Sequence, residues 1–353
     1  MNIIQNPLYQ EDLQKIASQP LPWEQLKDRA ILISGATGMI GSFLVDLLMY
    51  LNNKGLGCHI YAVGRNETKA QQRFSTLWND PLFHFVCCDI NQGLPQTLPN
   101  MDYIFHAASN THPVAYATDP IGTVTTNIIG TYNLLEFAAQ HNLHRFVFAS
   151  TVEIYGENRG DTDAFSEEYC GYIDCNTLRA GYPESKRAGE ALCQAYIQQK
   201  KLDVVIPRLS RIYGPTMLMS DTKALSQFIK KGIAGEDIVL KSEGTQFFSY
   251  TYVADAVSAI LYCLFYGANG AAYNIGDAAS DIALRDLAAI IANHAGKQVV
   301  FELPDAVEQA GYSKAMKAIL CSKKLQALGW KAQYTIESGL PRTIEILKSL
   351  SKV

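Results

Sequence analysis

The sequence predicts an α/β fold in which a doubly wound parallel sheet is joined to a smaller α/β lobe. The first observation is an apolar run over 30–34, short enough for a buried strand, which leads through closely spaced glycines into a helical pattern. The second is that further apolar runs alternate with helix-length stretches as far as Ile206, which is typical of a parallel sheet with helices on both faces. The third is the change to shorter elements and more loop from Pro207 onward.

Gly35, Gly38 and Gly41 mark a tight turn between the first strand and the first helix. Glycine permits a positive φ and a close backbone approach, and the unpaired N–H groups at a helix N-terminus attract an anion. The turn is therefore predicted to hold the pyrophosphate of a dinucleotide. Its candidate contacts are Gly35, Thr37, Gly38, Met39, Ile40 and Gly41. A glycine triplet used only for packing is the alternative, and the residues downstream decide between the two.

The second strand, 58–63, is followed by Gly64 and Arg65 rather than by an acidic residue. In NAD-binding units of this kind an Asp or Glu here binds the adenosine ribose, whereas an arginine accommodates the 2′-phosphate of NADP. We therefore expect a nicotinamide dinucleotide and leave both forms open. The alternative is that Arg65 stacks on the adenine or points to solvent.

The third and fourth strands end in residues suited to the other parts of a dinucleotide. Asp89 and Ile90 end the third strand, and we expect the Asp89 carboxylate to contact the adenine amino group. Ala107, Ala108 and Ser109 end the fourth strand and are small enough to border the nicotinamide ribose and the substrate. All of these candidates lie at the carboxyl ends of strands, where ligands bind in such sheets.

The remaining pattern completes the sheet and divides the chain. Further strands are predicted over 83–90, 103–109, 145–151 and 204–206, with a helical stretch around 127–138. The predicted units are a packing extension over 1–29, a dinucleotide-binding domain over 30–214 joined by 246–267, and a substrate-binding lobe made of 215–245 and 268–353.

Tyr182 and Lys186 are four residues apart on one face of a helix that Pro183 favours at its first turn. A phenol with a pKa of about 10 is a poor base at pH 7, and a neighbouring ammonium favours the phenolate. We interpret Tyr182 as a catalytic base and Lys186 as the cation that assists it and also reaches a ribose hydroxyl. The alternative is that Tyr182 and Lys186 are two unrelated residues on the helix surface, and the glycine turn argues against it.

Thr151 and Glu153 follow the fifth strand. The Thr151 hydroxyl is expected to bind the same substrate oxygen that Tyr182 deprotonates. The Glu153 carboxylate is either a second acid/base group or a residue that only orders the loop.

Composition excludes several other classes of protein. The chain has 353 residues, 48% of them hydrophobic, and its 30 Lys and Arg against 34 Asp and Glu argue against a nucleic-acid partner. No apolar run is long enough to span a bilayer and no signal pattern is visible, so a cytoplasmic protein without a membrane partner is expected. The eight cysteines lack metal-binding spacing, which favours reduced thiols and no metal site.

With these motifs the chain resembles the extended short-chain dehydrogenases/reductases, the NAD-dependent epimerase/dehydratase family of nucleotide-sugar enzymes. The motifs are Gly35-x-x-Gly38-x-x-Gly41, His106-Ala107-Ala108, Ser150-Thr151, Tyr182-x-x-x-Lys186, Arg208-x-x-x-x-Tyr213-Gly214-Pro215 and Tyr273-Asn274-Ile275-Gly276. The resemblance covers roughly 29–340. It implies a Rossmann sheet, bound NAD and a nucleotide-diphosphate sugar substrate.

Within this family, the segments 150–156, 179–187 and 213–221 are most similar to UDP-glucuronate decarboxylases. The Thr-x-Glu pattern also occurs in sugar 4,6-dehydratases, whereas 4-epimerases usually lack the Glu. Val152 stands where dTDP-glucose dehydratases carry the Asp that donates a proton.

Two other positions depart from the family pattern. Phe248 replaces an Arg that contacts the diphosphate and is implicated in proton donation in the decarboxylases, and Arg211 replaces a substrate-binding Asn. We expect Arg211 to bind the substrate diphosphate or a sugar carboxylate. The alternative is that it pairs with an acidic side chain of the smaller lobe.

The reaction implied by the resemblance is transient oxidation of the sugar at C4, with decarboxylation as the first choice. A 4,6-dehydratase or 4-epimerase is the alternative, followed by an NADPH-dependent ketoreductase and then by a non-catalytic dinucleotide-binding module. The family also implies a homodimer through the helix of the Tyr-Lys pair and the stretch 127–140. Phe137, Leu192 and Tyr196 are the apolar candidates for that interface.

Overall fold

A seven-stranded parallel sheet forms the centre of the protein, seen in a computed structural model that describes residues 2–111, 113–302 and 316–351. Its strands are β1 (Ala30–Ser34), β2 (His59–Gly64), β3 (Phe83–Cys87), β4 (Tyr103–His106), β5 (Arg145–Phe148), β7 (Val204–Leu209) and β11 (Ala272–Ile275), while the short β6 (Ser150–Thr151) pairs with β7. The order across the sheet is β3-β2-β1-β4-β5-β7-β11. This order confirms the predicted α/β class and doubly wound sheet.

Helices cover both faces of this sheet. The helices of the described residues are α1 (Pro7–Ala17), α2 (Met39–Asn52), α3 (Glu67–Arg73), α4 (Pro113–Thr118), α5 (Pro120–Thr125), α6 (Thr131–Gln140), α7 (Gly181–Lys200), α8 (Ala224–Ala234), α9 (Val253–Tyr266), α10 (Leu284–Ala295), α11 (Lys323–Gln326) and α12 (Ile336–Ser351). Of these, α8, α10 and α12 pack against one another in the smaller lobe rather than on the central sheet. A π-helical turn, Thr126–Gly130, joins α5 to α6. In the part of the chain that the structure describes, none of these helices has the length and apolar character needed to cross a membrane.

The strands are apolar on both sides because each side lies against a different helical layer. Ile31 and Ile33 of β1 belong to one core with α2 and α9, whereas Leu32 between them belongs to a second core with α6 and α7. The N-terminal helix α1 packs on α2 and α9, and its Leu13 and Ile16 are buried.

A second, smaller set of strands lies beyond the sheet. It comprises β8 (Arg211–Tyr213), β9 (Ile238–Leu240), β10 (Phe247–Tyr252), β12 (Asp281–Ala283), β13 (Val299–Phe301) and β14 (Lys317–Ala318). Strand β10 pairs with β8, β12 and β14, and β13 pairs with β9. The segment that connects β13 to β14, 303–315, lies outside the described residues, as do 1, 112 and 352–353.

The element boundaries differ from the sequence expectation at the functional edge of the sheet. The third and fourth strands end at Cys87 and His106, earlier than predicted, so that Asp89 and Ser109 lie in the loops that follow. The strand β11 comes from the segment assigned to the smaller lobe, but its pairing with β7 places it in the central sheet. The other proposed domain boundaries stay a prediction.

Candidate active site

The glycine turn after β1 is shaped so that glycine is required at two of its positions. Gly35 has φ +72°, and a Cβ there would lie 2.8 Å from backbone atoms of Ala107 and Ala108. A Cβ on Gly41 would overlap the carbonyl oxygen of Gly35. Gly38 is the N-cap of α2 and offers no side chain to cap it, so the first N–H groups of this 14-residue helix are left for an anion. This cradle, which also contains Thr37, Met39 and Ile40, fits a dinucleotide pyrophosphate.

A buried histidine, which the sequence had not singled out as a site residue, holds the neighbouring loop in place. The Thr131 hydroxyl donates to the Asn127 carbonyl at 2.6 Å, so its oxygen accepts from Nε2–H of His106 at 2.9 Å. The Nδ1 of His106 is then the acceptor for the Ser34 hydroxyl at 2.7 Å, and Ser34 Oγ accepts from the N–H of Ala108 at 3.3 Å. Burial lowers the pKa of His106 well below its usual value, which keeps this neutral arrangement.

The predicted adenosine contacts lie around the ends of β2 and β3. Arg65 is exposed directly after β2, and its side chain forms no ion pair with any residue that the structure describes. The Asp89 carboxylate is half-buried and accepts the N–H of Asn91 at 3.0 Å, while Ile90 is buried. Asp89 therefore keeps acceptor capacity for a ligand, and Arg65 is free to reach one.

Tyr182 is buried at the start of α7 within a group of rings and charges. Its ring stacks on Tyr116 of α4, with centroids 5.1 Å apart. Burial, followed by the negative charge of Glu153, raises the pKa of Tyr182 above its usual value, while a hydrogen bond with Thr151 and the charge of Arg179 lower it. The structure thus brings together Thr151, Glu153 and Tyr182.

Lys186 lies one turn further along α7 and is almost fully buried. Its ammonium donates to the carbonyl of Ala149 at 2.8 Å, and burial lowers the pKa of Lys186 to about 8. The sequence had assigned the lowering of the Tyr182 pKa to this ammonium. In the structure the lowering comes from Thr151 and Arg179, and it is outweighed by burial.

The Glu153 carboxylate is held by a residue to which the sequence assigned no role. Arg179, in the turn before α7, donates from Nη2 to Oε2 of Glu153 at 2.5 Å, and its guanidinium lies over the ring of Tyr116. Thr151 Oγ1 accepts the N–H of Glu153 at 3.3 Å, which fixes the loop. Ser109 follows β4 and donates to the carbonyl of Asn110, so its hydroxyl is not held by any of these groups.

Arg211 lies on β8, and its guanidinium carbon is 3.4 Å from the ring centroid of Phe248 on β10. The two residues that depart from the family pattern are therefore in contact. No carboxylate of the described residues lies within ion-pair distance of Arg211, so the expected alternative, a pair with an acid of the smaller lobe, is not formed there. Its Nη1 is buried without a hydrogen-bond partner.

Several known proteins resemble this chain in sequence or fold. UDP-glucuronic acid decarboxylase 3 of Arabidopsis thaliana is 30% identical over 311 residues, which cover 88% of this chain and 86% of that protein. UDP-glucuronic acid decarboxylase 1 of Xenopus tropicalis is 30% identical, covering 93% of this chain and 75% of that protein. The crystal structure of a UDP-glucose 4-epimerase from Thermotoga maritima superposes with a TM-score of 0.77 at 24% identity, covering 92% of this chain and all of that one.

Residues 31–276 match the family described as the NAD dependent epimerase/dehydratase family. The match spans the glycine turn, the Tyr182–Lys186 pair and the strand β11 that completes the sheet. It confirms NAD as the cofactor class and an enzyme acting on nucleotide sugars as the kind of protein. The chain belongs to the NAD-dependent epimerase/dehydratase family.

Proposed function

We propose that this protein is a nucleotide-sugar decarboxylase that oxidises the sugar transiently at C4 and releases the C5 carboxylate as carbon dioxide. The observation that carries the proposal is the Glu153 carboxylate, which Arg179 holds in the same polar group as Tyr182. A second acid/base group at this point is needed for chemistry at C5 but not for oxidation at C4 alone. The decarboxylases that are 30% identical to the chain support the same reaction.

Each step has an assigned group in this chain. Bound NAD supplies the hydride acceptor and returns the hydride, so the overall reaction is redox-neutral. Tyr182 takes the proton of the C4 hydroxyl, and Thr151 binds the same oxygen. The resulting ketone accepts the electron pair of the breaking bond between C5 and the carboxylate, and carbon dioxide leaves. A proton then returns to C5, with Glu153 as the acid/base group of this half-reaction.

We propose the cofactor contacts at the same edge of the sheet. The glycine turn binds the pyrophosphate, Lys186 reaches a ribose hydroxyl, and Asp89 contacts the adenine. Ala107 and Ala108 border the nicotinamide ribose, Ile90 packs beneath the adenine, and Ser109 contacts the sugar. Support comes from the free N–H groups of α2 and from the relay of His106, which fixes the backbone of Ala108 beside Gly35.

We also propose a cytoplasmic homodimer. All eight cysteines lie among the described residues and are free thiols, as in a reducing compartment. Ile129 and Tyr132, in the π-helical turn and on α6, are 43% and 47% exposed, which supports an interface on this side. Tyr196, one of the predicted interface residues, is buried within its own subunit and donates to Glu136.

The test is incubation of the purified protein with UDP-, GDP-, CDP- and dTDP-sugars, followed by mass analysis of the products. Loss of carbon dioxide from UDP-glucuronate supports the proposal. Loss of water from a nucleotide hexose would instead identify a 4,6-dehydratase, an unchanged mass with altered stereochemistry a 4-epimerase, and net consumption of NADPH a ketoreductase.

A further inference from the structure

Arg211 lies at the same level of the sheet edge as Glu153. The parallel strands β6 and β7 pair so that Thr151 faces Leu209. Glu153 follows Thr151 by two residues, in the 3₁₀ turn Val152–Tyr155 after β6, and Arg211 follows Leu209 by two residues, as the first residue of β8. Burial lowers the pKa of Arg211, and among smaller effects Tyr250 and Glu153 raise this pKa while Arg179 lowers it. Arg211 therefore follows the sheet at the same end as Thr151 and Glu153.

The guanidinium of Arg211 is bound differently from those of the other well-buried arginines. Four arginines that expose less than a fifth of their side chains all form ion pairs, namely Arg73 with Asp46, Arg145 with Asp203, Arg208 with Glu190 and Arg342 with Asp12. Arg211 instead lies against the ring of Phe248 and keeps a buried Nη1 without a partner. Leaving a buried donor unsatisfied is unfavourable, and an anion that accepts its hydrogen bond would remove that cost.

The contact with Phe248 occupies the flat face of the guanidinium and not its N–H edge. An aromatic ring takes up the flat face of the group, whereas its N–H donors point outward within the plane. A carboxylate accepts two such N–H groups side by side, and this bidentate pairing is among the stronger polar interactions. Glu153 does not fill this role, because its carboxylate is paired with Arg179.

We propose that Arg211, held flat by Phe248, is the binding site for the carboxylate of the sugar substrate and makes the enzyme selective for uronates over neutral hexoses. The assignment rests on the proposed function for its substrate class. It favours the carboxylate over the diphosphate because Arg211 comes two residues after Leu209, the strand partner of Thr151, and Thr151 adjoins the reacting tyrosine.

The proposal is tested by binding, which requires no turnover. To prevent turnover, NAD-loaded Tyr182→Phe is titrated, with and without the additional change Arg211→Gln, with UDP-glucuronate and with UDP-glucose, which differ at the C5 substituent, a carboxylate in one and a hydroxymethyl group in the other. We expect Arg211→Gln to weaken UDP-glucuronate binding by at least about tenfold, or about 1.4 kcal/mol, and to change UDP-glucose binding by less than about twofold. Arg29→Gln, at the opposite edge of the sheet, is the charge-matched control. Equal losses for both ligands, or none, would overturn the assignment.

A second pair of variants keeps the test decisive if Arg211→Gln does not fold. Arg211→Lys retains the charge without the planar fork and should keep only part of the preference for the uronate. Adding Phe248→Arg to Arg211→Gln returns a guanidinium from the neighbouring strand and should restore selectivity. A full preference in Arg211→Lys together with no rescue in the double variant would contradict the site. If the wild type selects UDP-glucuronate but releases no carbon dioxide, the decarboxylase proposal fails while the carboxylate site stands.

Discussion

The guanidinium of Arg179 and the carboxylate of Glu153 form a hydrogen-bonded ion pair of 2.5 Å beside the stacked rings of Tyr116 and Tyr182. Half of the Arg179 side chain is accessible, so the pair is partly open to water. Glu153 thus has a fixed orientation in the absence of substrate. If Arg179 acts only by orienting Glu153, its removal should matter only while Glu153 is present.

A double-mutant cycle measures this dependence. We expect Arg179→Gln to lower kcat at least about tenfold in the wild type, but to have little further effect in the Glu153→Gln background. Turnover of UDP-glucuronate by all four proteins is the measurement, with Arg159→Gln as an exposed control. Fully additive losses would show that Arg179 acts independently of Glu153.

Replacing Tyr182 by Phe removes the proposed base while keeping the ring that stacks on Tyr116. Turnover should fall by about two to four orders of magnitude, and NAD binding should be largely unchanged. Because burial raises the pKa of Tyr182, its phenolate is a minor form that grows as pH rises, and we expect kcat/KM of the wild type to increase from about pH 6 to 8. Above that range Lys186, whose pKa burial lowers to about 8, loses the charge that assists Tyr182, so the increase should level off. Activity of Tyr182→Phe within tenfold of the wild type would rule out this base.

The choice between NAD and NADP depends on Arg65. The family is NAD-dependent, and Arg65 is exposed after β2. We expect the protein to bind NAD more tightly than NADP, and Arg65→Ala to weaken mainly NADP, because only NADP offers a 2′-phosphate for a charge-assisted hydrogen bond. Titration of the cofactor-free protein with each dinucleotide decides this. Tighter binding of NADP would point to the ketoreductase alternative.

Stability should depend on pH through Asp255, a carboxyl that is fully buried at the start of α9. Burial raises its pKa to about 7, although the N–H groups of Gln333 and Tyr334 donate to it and oppose the shift. Between about pH 4 and 7 the folded state therefore keeps a proton that the unfolded state has lost, so the free energy of unfolding falls as pH rises.

Comparison with Asp255→Asn isolates this contribution. The stability of the wild type relative to Asp255→Asn should decrease by up to about 1.4 kcal/mol per pH unit across that window, as measured by urea unfolding. Asp286→Asn, which changes an exposed carboxylate, should show no such trend. A difference that is constant with pH would mean that Asp255 is ionised throughout.

The sequence alone was sufficient to predict those parts of the site that depend on the geometry of one turn or one helix. The glycine turn and the spacing of Tyr182 and Lys186 are properties of a single turn or helix, and they lie where the pattern indicated. No pattern in the sequence marked Tyr116 or Arg179 as a site residue. They reach the site only because a short helix and a turn pack against α7. The source of the Tyr182 pKa shift was missed for the same reason, since burial is a property of the whole fold.

The edge of the sheet also shows where short patterns mislead. The apolar run of the fourth strand continues past His106, but the strand ends there, and the N–H of Ala108 donates to the side chain of Ser34 instead of to a neighbouring strand. Strand β11 contributes only four residues from a loop-rich segment, so its apolar pattern did not identify it as part of the central sheet.

The late position of β11 in the chain has a consequence for biosynthesis. Until Ala272–Ile275 has been made, β7 is an open edge of the sheet, ready to pair with another chain. The N-terminal helix α1 can complete its contacts only later. Its Asp12 carboxylate accepts hydrogen bonds from Tyr252, Tyr334 and Arg342, which all belong to the final third of the protein. A ribosome-bound chain that stops before these residues therefore has an unfinished sheet and an undocked first helix. Such a chain is prone to aggregate through the unpaired edge until translation ends.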